Sequence, residues 1–416
     1  MRRLVVALLI VVGCGRERHV GAVPPAAEFL VATADSTFWV RADSDGVKLR
    51  AAPLILARVG DRFVELYVAD EDRSFDNAVF VGQRVYTRDL ERGDSNAVYR
   101  DLTVLPMAME WSRTHPSDPP LAPDDPEPEH PETRATVEIG ILDVMGRWLS
   151  IEIHSDLTPR GADLTHESRR AVLDLQSGRV APLAAIVPGR DTGRILGQAR
   201  AALATARAAA EALHDDRGPA ARRALGALSV NPSSFSLMPV AGEPAVQFLA
   251  SVGRPTDDGT ALPLTPQPLG APSWFSGEVR DAVASSSADI GGGRSAERWT
   301  RPRYELLARA DTGSDAVQLA LRDTARREFA IGAVQGSVRR VYWLDAIAFD
   351  ATARRALNRA FDDATYYSEQ TRTVRAPRGT PLPRMRLAAR SRATDACPSR
   401  SGAARGHRLP SRSPRA

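Results

Sequence analysis

The sequence predicts a multi-domain α+β protein that is richer in strands than in helices. Most of the chain alternates apolar and polar residues with a period of two, which is typical of half-buried strands. One alanine-rich run, residues 192–216, lacks this alternation and predicts a long helix. Two stretches with few apolar side chains, 114–133 and 270–298, indicate linkers that divide the remainder into three segments.

Residues 1–13 predict a secretory signal peptide. Two arginines precede the apolar run 4–12, which is too short for a membrane span because a helix needs roughly 20 apolar residues to cross a bilayer. The letters VVGC at 11–14 match the lipobox of bacterial lipoproteins, and the chain therefore resembles that class. The resemblance implies cleavage between Gly13 and Cys14 and attachment of lipid to Cys14.

A lipidated Cys14 implies an anchored protein of the bacterial cell envelope that faces the periplasm, with residues 14–26 as a tether. Two or three acyl chains anchor stably where one is marginal, because each buried CH₂ contributes about 0.8 kcal/mol. Gly15 stands where lipoproteins retained in the inner membrane often carry Asp, which favours the outer membrane. The alternative is an ordinary secretory signal with an unrelated cysteine.

The composition indicates a basic tail on an acidic body. Residues 374–416 contain 11 arginines and one acidic residue, so the formal net charge of +4 leaves −6 for residues 1–373. Residues 373–416 predict a disordered tail, either genuine or translated out of frame after a frameshift. We expect no nucleic-acid partner, because the tail lacks interleaved aromatic residues and a helical face. We interpret the excess of arginine over the single lysine as codon bias of a GC-rich genome.

The first segment, residues 27–113, predicts a β-rich domain with the form of a small sandwich or barrel. Two apolar runs flank Asp-Ser-Asp-Gly at 43–46, a sequence typical of hairpin turns, because Gly46 adopts a positive φ at little cost. Further alternating runs follow, and no helical pattern interrupts them. A proline- and acid-rich linker, residues 114–133, comes next.

The middle segment, residues 134–269, predicts an α+β domain. Paired strands are expected around the turn at 145–147, and a hairpin across 176–179. The long helix follows with Thr192 as its N-cap, and strands return at 234–253.

A set of turn and strand residues in this segment matches a known pattern over about a third of the chain: Asp174, Leu175, Gly178, Arg179, Phe235, Val246 and Phe248. With these residues, the order of elements resembles a bacterial domain of unknown function. That domain occurs outside the membrane in lysozyme-sensing anti-sigma factors and beside some peptidoglycan deacetylases. The resemblance implies a non-catalytic module that binds an envelope component.

The third segment, residues 299–372, follows the Ser/Gly-rich linker 270–298 and predicts a β-meander covered by one helix. Apolar residues recur on the helix at steps of three and four and form one stripe. They are Ala353, Leu357, Ala360, Phe361 and Ala364.

The motifs of several enzyme classes are missing from the sequence. Lys48, the only lysine, lies outside any phosphate-binding motif, which excludes P-loop, Schiff-base and Ser-Lys chemistry. Neither G-x-S-x-G nor H-E-x-x-H occurs. Cys14 and Cys397 are the only cysteines, so a lipidated Cys14 leaves no intrachain disulfide. We expect no cofactor.

Two groups of residues remain as candidate sites. His154, Asp156 and His166 could supply zinc ligands if their loop folds back, although histidines twelve apart with no helix to fix them are more often surface residues. Trp148 follows a turn and Trp274 lies in a proline-flanked loop, so both are expected to be exposed and to contact a ligand, since aromatic faces suit CH-rich molecules.

The sequence therefore predicts a non-catalytic, lipid-anchored envelope protein. Its expected partner is an envelope polymer resembling peptidoglycan, or another envelope protein. One alternative is a cell-wall hydrolase that uses a metal or paired carboxylates. A second alternative is a structural lipoprotein of an envelope assembly.

Overall fold

The structure of the chain is a computed structural model. It describes residues 23–75, 78–114, 133–158, 165–212, 218–253, 260–286, 288–289, 295–310, 315–345, 351–364 and 368–372. The predicted signal peptide, nearly all of the proline-rich linker and the basic tail lie outside these residues. The described chain forms a strand-rich, multi-domain α+β fold with four sheets, so the predicted fold class is confirmed.

Residues 27–114 form seven strands and one helix. The elements are β1 (Ala27–Ala32), β2 (Thr37–Asp43), β3 (Gly46–Ala52), β4 (Ile55–Val59), β5 (Arg62–Ser74), β6 (Ala78–Asp89), β7 (Ser95–Arg100) and α1 (Leu105–Thr114). The hairpin predicted at 43–46 joins β2 to β3, where Asp43 pairs with Gly46. Helix α1 was not expected from the sequence. It forms because Leu105 and Ala108, three residues apart, are buried in the same core as Phe80 and Val85 of β6.

Residues 133–268 contain the predicted hairpins and the long helix. The elements are β8 (Thr133–Met145), β9 (Trp148–Thr158), β10 (Thr165–Asp174), β11 (Arg179–Val180), α2 (Leu183–Ile186), α3 (Gly189–Glu211), α4 (Gly218–Ala227), β12 (Ser229–Val240), β13 (Glu243–Ser251), β14 (Ala261–Pro263) and β15 (Gln267–Pro268). Thr192 is not the N-cap of the long helix, because α3 begins at Gly189 and Pro188 occupies the N-cap position. Asp191 in the first turn favours this earlier start through the helix dipole.

Residues 277–372 contain two helices and seven strands. The elements are α5 (Gly277–Val283), β16 (Ala288–Asp289), β17 (Ser295–Thr300), β18 (Tyr304–Ala310), β19 (Ala316–Asp323), β20 (Glu328–Gln335), β21 (Arg340–Trp343), α6 (Ala351–Asp363) and β22 (Ser368–Arg372). The stretch 270–298 is therefore not a plain linker. Helix α5 forms in this stretch because Ala282 and Val283 are buried. The sequence did not predict it, because the residues on either side of it are rich in serine and glycine.

Strands from both ends of the described chain form a β-sandwich. The first sheet has the order β21-β1-β2-β3-β22, and the fourth sheet has the order β16-β17-β18-β19-β20. Their inner faces share one core that includes Phe29 and Val40 on one side and Leu306 and Ile331 on the other. The predicted first and third segments thus share a sheet, because pairing between distant strands leaves no trace in local alternation.

The second sheet also crosses a predicted boundary. Its order is β11-β10-β9-β8-β6-β5-β4, with β7 on β6. Strands β6 and β8 pair in parallel from Ala78 to Val81, so strands on either side of the proline-rich stretch are neighbours. The third sheet, β12-β13-β14 with β15 on β13, shares a core with α3.

Helix α6 buries the predicted stripe on a different surface from the one expected. Leu357, Ala360 and Phe361 are buried, as the spacing predicts. They pack with Leu30 and Trp39 on the outer face of the first sheet. The helix therefore covers the first sheet, which contains the N-terminal strands, and not the meander. The reason is that α6 leads into β22, and β22 pairs with β3 of the first sheet.

Candidate functional site

A cavity of about 340 Å³ lies between the first sheet, the second sheet and the segment 274–283. Its walls come from β4, the turn between β8 and β9, the segment 274–283 that includes α5, and β21. These elements belong to the first and second sheets and to the stretch predicted as a linker. The volume is in the range of small-molecule sites, which are roughly 300–1,000 Å³.

The turn between β8 and β9 is shaped by Gly146. This residue has a backbone angle φ of +61°, which residues other than glycine rarely adopt. A Cβ atom at this position would lie 2.9 Å from Cγ2 of Val279, so α5 packs into the space that the missing side chain leaves. The contact holds α5 over the turn and places Arg147 and Trp148 in the cavity wall.

Trp148 and Trp274, the predicted ligand contacts, both line this cavity. Their rings pack edge to face, with centroids 6.2 Å apart and an interplanar angle of 75°. Trp274 is half-buried and its Nε1 donates to the carbonyl of Ile186 at 2.8 Å. The expected exposure of Trp148 is wrong, since only 3% of it is accessible. A residue after a turn is usually solvated, but here the loop before α5 folds over the turn.

Four arginines line the cavity, and each one forms an ion pair. The pairs are Arg58 with Glu278, Arg147 with Asp174, Arg301 with Asp281, and Arg340 with Asp143. The Arg147 guanidinium also lies 4.5 Å from the centre of the Trp148 ring, within the range of a cation–π contact. The cavity wall therefore combines aromatic surface with guanidinium groups.

The buried pair between Arg340 and Asp143 joins the two layers of the site. Arg340 Nη1 donates to Asp143 Oδ1 at 2.7 Å, and Nη2 donates to the same oxygen. The side chains are 3% and 7% exposed. Arg340 lies in β21 of the first sheet and Asp143 in β8 of the second, next to an irregularity in the β8–β9 register. The pair therefore fixes the position of one sheet against the other.

Burial affects the charge of Arg58 on the opposite wall. Desolvation lowers the pKa of its guanidinium, while the coulombic influence of Tyr342 and Asp61 raises it. A guanidinium keeps its charge at neutral pH even with a reduced pKa. Its buried charge is stabilised by the ion pair with Glu278.

The sequence did not predict that arginines line this site. They were interpreted with all other arginines as a consequence of nucleotide composition, and they lie at positions 58, 147, 301 and 340. The one local indication was Arg147, which precedes a tryptophan at a predicted turn. Arg58, Arg301 and Arg340 come together only because strands that are distant in the sequence pair in the fold.

The candidate zinc ligands lie outside the cavity, on adjacent strands of the second sheet. Asp156 Oδ1 and His166 Nδ1 are 2.6 Å apart on β9 and β10. His154 instead bonds to Ser168, with 3.0 Å between Nδ1 and Oγ. Across the described ranges, no group of three or more His, Cys, Asp or Glu side chains is arranged to hold a metal ion. The structure thus brings two of the three candidates together and gives His154 a different partner.

The predicted cleavage and lipidation residues, Gly13 and Cys14, lie outside the described residues. Within the part of the chain that is described, no helix combines the length and apolar character needed to span a bilayer.

No protein-family model matches the chain, and no curated protein does. Among solved structures, a DUF3298 family member from Bacteroides fragilis is 9% identical, with a TM-score of 0.32, over 49% of this chain and 90% of that one. A DUF3298 family protein from Pseudomonas aeruginosa is 12% identical, with a TM-score of 0.24, over 44% of this chain and 81% of that one.

Proposed function

We propose that this protein is a lipid-anchored, non-catalytic protein of the bacterial cell envelope that binds an envelope polymer resembling peptidoglycan. The observation that carries the proposal is the cavity, where Trp148 and Trp274 lie beside four arginines. Aromatic rings pack against the CH-rich faces of sugars, and arginine donates hydrogen bonds to their oxygen atoms. The cavity therefore suits a segment of glycan with its polar substituents.

The ionic groups of the cavity favour binding over hydrolysis. A hydrolase of this kind needs one carboxyl group that donates a proton and one that acts as a base or nucleophile. The carboxylates in the wall, Glu278 and Asp281, each face an arginine. Both carboxylates of the cavity wall are therefore held in ion pairs with arginines.

The proposal is tested by co-sedimentation of the full chain, in detergent, with purified peptidoglycan. Trp274→Ala should reduce the pelleted fraction several-fold, because it removes one aromatic wall of the cavity. Trp111→Ala is the matched control, since that tryptophan lies on α1, outside the cavity. Equal pelleting of both variants and the unmodified protein, with circular dichroism unchanged, would contradict a role for the cavity.

The anchor is tested separately through Cys14. Cys14→Ser should leave a precursor that retains residues 1–13 and incorporates no radiolabelled palmitate in cells. Cys397→Ser is the matched control and should be processed and labelled normally. Labelling of the Cys14→Ser variant at the level of the unmodified protein would refute lipidation at this residue.

A further inference from the structure

A second cavity, of about 290 Å³, lies at the inner face of the second sheet. Val64 lines it and belongs to the core of that sheet, and Val98 and Leu175 line it and pack against the same core. Its remaining wall consists mainly of hydroxyl, amide and carboxylate groups, so we name it the polar cavity. The cavity that Trp148 and Trp274 line is named the tryptophan cavity.

The two cavities adjoin at a gap between the edges of the second sheet. Within the described chain this sheet ends at β4 on one side and at β11 on the other. Successive side chains of a strand point to opposite faces of the sheet. Accordingly, Arg58 of β4 lines the tryptophan cavity and Val59 lines the polar cavity. Gln176, in the turn before β11, lines both. The edges of the sheet therefore approach each other, and the two cavities meet between them.

Hydrogen bonds fix the position of Gln176 at this border. Arg147 Nη1 donates to Gln176 Oε1 at 2.7 Å, and Arg147 Nη2 donates to Asp174 Oδ2 at 2.9 Å. The backbone N–H of Gln176 donates to Asp174 Oδ1 at 3.0 Å. The turn and its amide side chain are therefore held in place before a ligand binds, which lowers the entropic cost of binding.

The polar wall suits the hydroxyl groups of a sugar. Thr87 and Asn96 are cross-strand partners on β6 and β7, and both line the polar cavity. Hydroxyl and amide groups donate and accept hydrogen bonds, as sugar hydroxyls do, and the carboxylate of Asp94 accepts them. Asp89 accepts hydrogen bonds from Arg62 at 3.0 Å and from the backbone of the β6–β7 turn. This wall is therefore also preformed.

We infer that the two cavities form one cleft that binds successive sugar units of a single glycan chain. One unit packs against Trp274, the chain crosses the gap beside Gln176, and a following unit bonds to the wall that carries Asn96. This inference rests on the proposed function, of which it names the ligand class: an oligosaccharide segment and not a single sugar. Because the units are linked, binding of the second one is intramolecular, and the segment binds more tightly than one unit alone.

The test is calorimetric titration of the full chain in detergent with N-acetylglucosamine and with its β-1,4-linked tetramer. The two probes contain the same ring and differ in length. We expect the tetramer to bind at least about tenfold more tightly, since only the tetramer can occupy both cavities. A gain of no more than about fourfold, which four equivalent rings give by statistics alone, would overturn the inference. Failure of both probes to bind would also overturn it.

Thr87→Val combined with Asn96→Ala should reduce the gain to the statistical level, because the polar wall then loses its hydroxyl and amide groups. Asn96→Ala alone, at an exposed position, should reduce the gain in part. Ser95→Ala is the matched control and should keep the full gain, since Ser95 is exposed on the same strand and lies outside the polar cavity. An undiminished gain in the double variant, with an unchanged melting temperature, would contradict the assignment.

The outcomes separate the inference from the proposed function. Pelleting with peptidoglycan that depends on Trp274, without a gain for the tetramer, would refute the two-cavity cleft and retain the polymer-binding function. A gain for the tetramer that depends on Asn96, without pelleting, would retain the cleft and refute binding of the intact polymer.

Discussion

Removal of the carboxylate of Asp143 should destabilise the protein more than removal of any exposed acid. Asp143 holds the guanidinium of Arg340 between the first and second sheets, and both side chains are more than 90% buried. In Asp143→Ala the guanidinium stays buried without its counterion. Breaking a buried ion pair in this way costs about 3–5 kcal/mol. We expect the lower end, about 3 kcal/mol, because Arg340 also borders the cavity, through which water can reach it.

The assay is thermal unfolding followed by calorimetry and by tryptophan fluorescence. A loss of about 3 kcal/mol lowers the melting temperature by roughly 6–12 °C for a unit of 150–250 residues. Asp143→Leu combined with Arg340→Met should lose less than Asp143→Ala, because no buried charge remains. The control is Glu110→Ala on α1, whose pair with Arg113 is exposed and screened by solvent, so this change should leave the melting temperature nearly unchanged. A shift for Asp143→Ala no larger than that of the control would refute the reasoning.

Three further predictions concern stability. Ala241 has φ +51° in the exposed β12–β13 turn, an angle that asparagine adopts more readily than alanine. Ala241→Asn should therefore raise the free energy of unfolding, measured by urea denaturation, by about 0.5–1 kcal/mol. A decrease would contradict the strain argument. Gly146→Ala should lower it by about 1–2 kcal/mol, because the new Cβ strains the backbone and meets Val279; an unchanged midpoint would count against it. Hydrogen bonding by Arg84, opposed by desolvation and assisted by further arginines, lowers the pKa of Glu71 from 4.5 to about 2. Its stabilising contribution is therefore complete above pH 4.5 and lost as the pH falls towards 2, so the melting temperature of Glu71→Gln should lie below that of the unmodified protein at pH 7 and converge with it near pH 2. A constant difference would exclude this titration.

The local elements of the fold were largely predictable from the sequence. The hairpins at 43–46, 145–147 and 176–179 were predicted because glycine and polar turn residues interrupt clear alternation. The stripe on α6 was predicted because its spacing matches the helical period. Helix α1 was missed because its short run lacks a clear cap or repeat, and it is stabilised by packing on the second sheet.

The assembly of these elements was not predictable in the same way. Strand β1 pairs with β21 across more than 300 residues, and no local pattern encodes that pairing. The cavity depends on it, because Arg340 reaches the site only through β21. Trp148 and Trp274 were identified individually, but their contact and their burial follow from the fold of the loop before α5 over the turn at Gly146.

The location of the binding site can be measured directly by hydrogen–deuterium exchange of the full chain in detergent, with and without soluble peptidoglycan fragments. Bound fragments should slow exchange in peptides that cover 145–148, 274–283 and 340–343, which meet only at the cavity. Peptides from α4 should be unaffected. Protection confined to other surfaces, such as the β9–β10 face that carries His166, or no protection at concentrations that give pelleting, would contradict binding in the cavity.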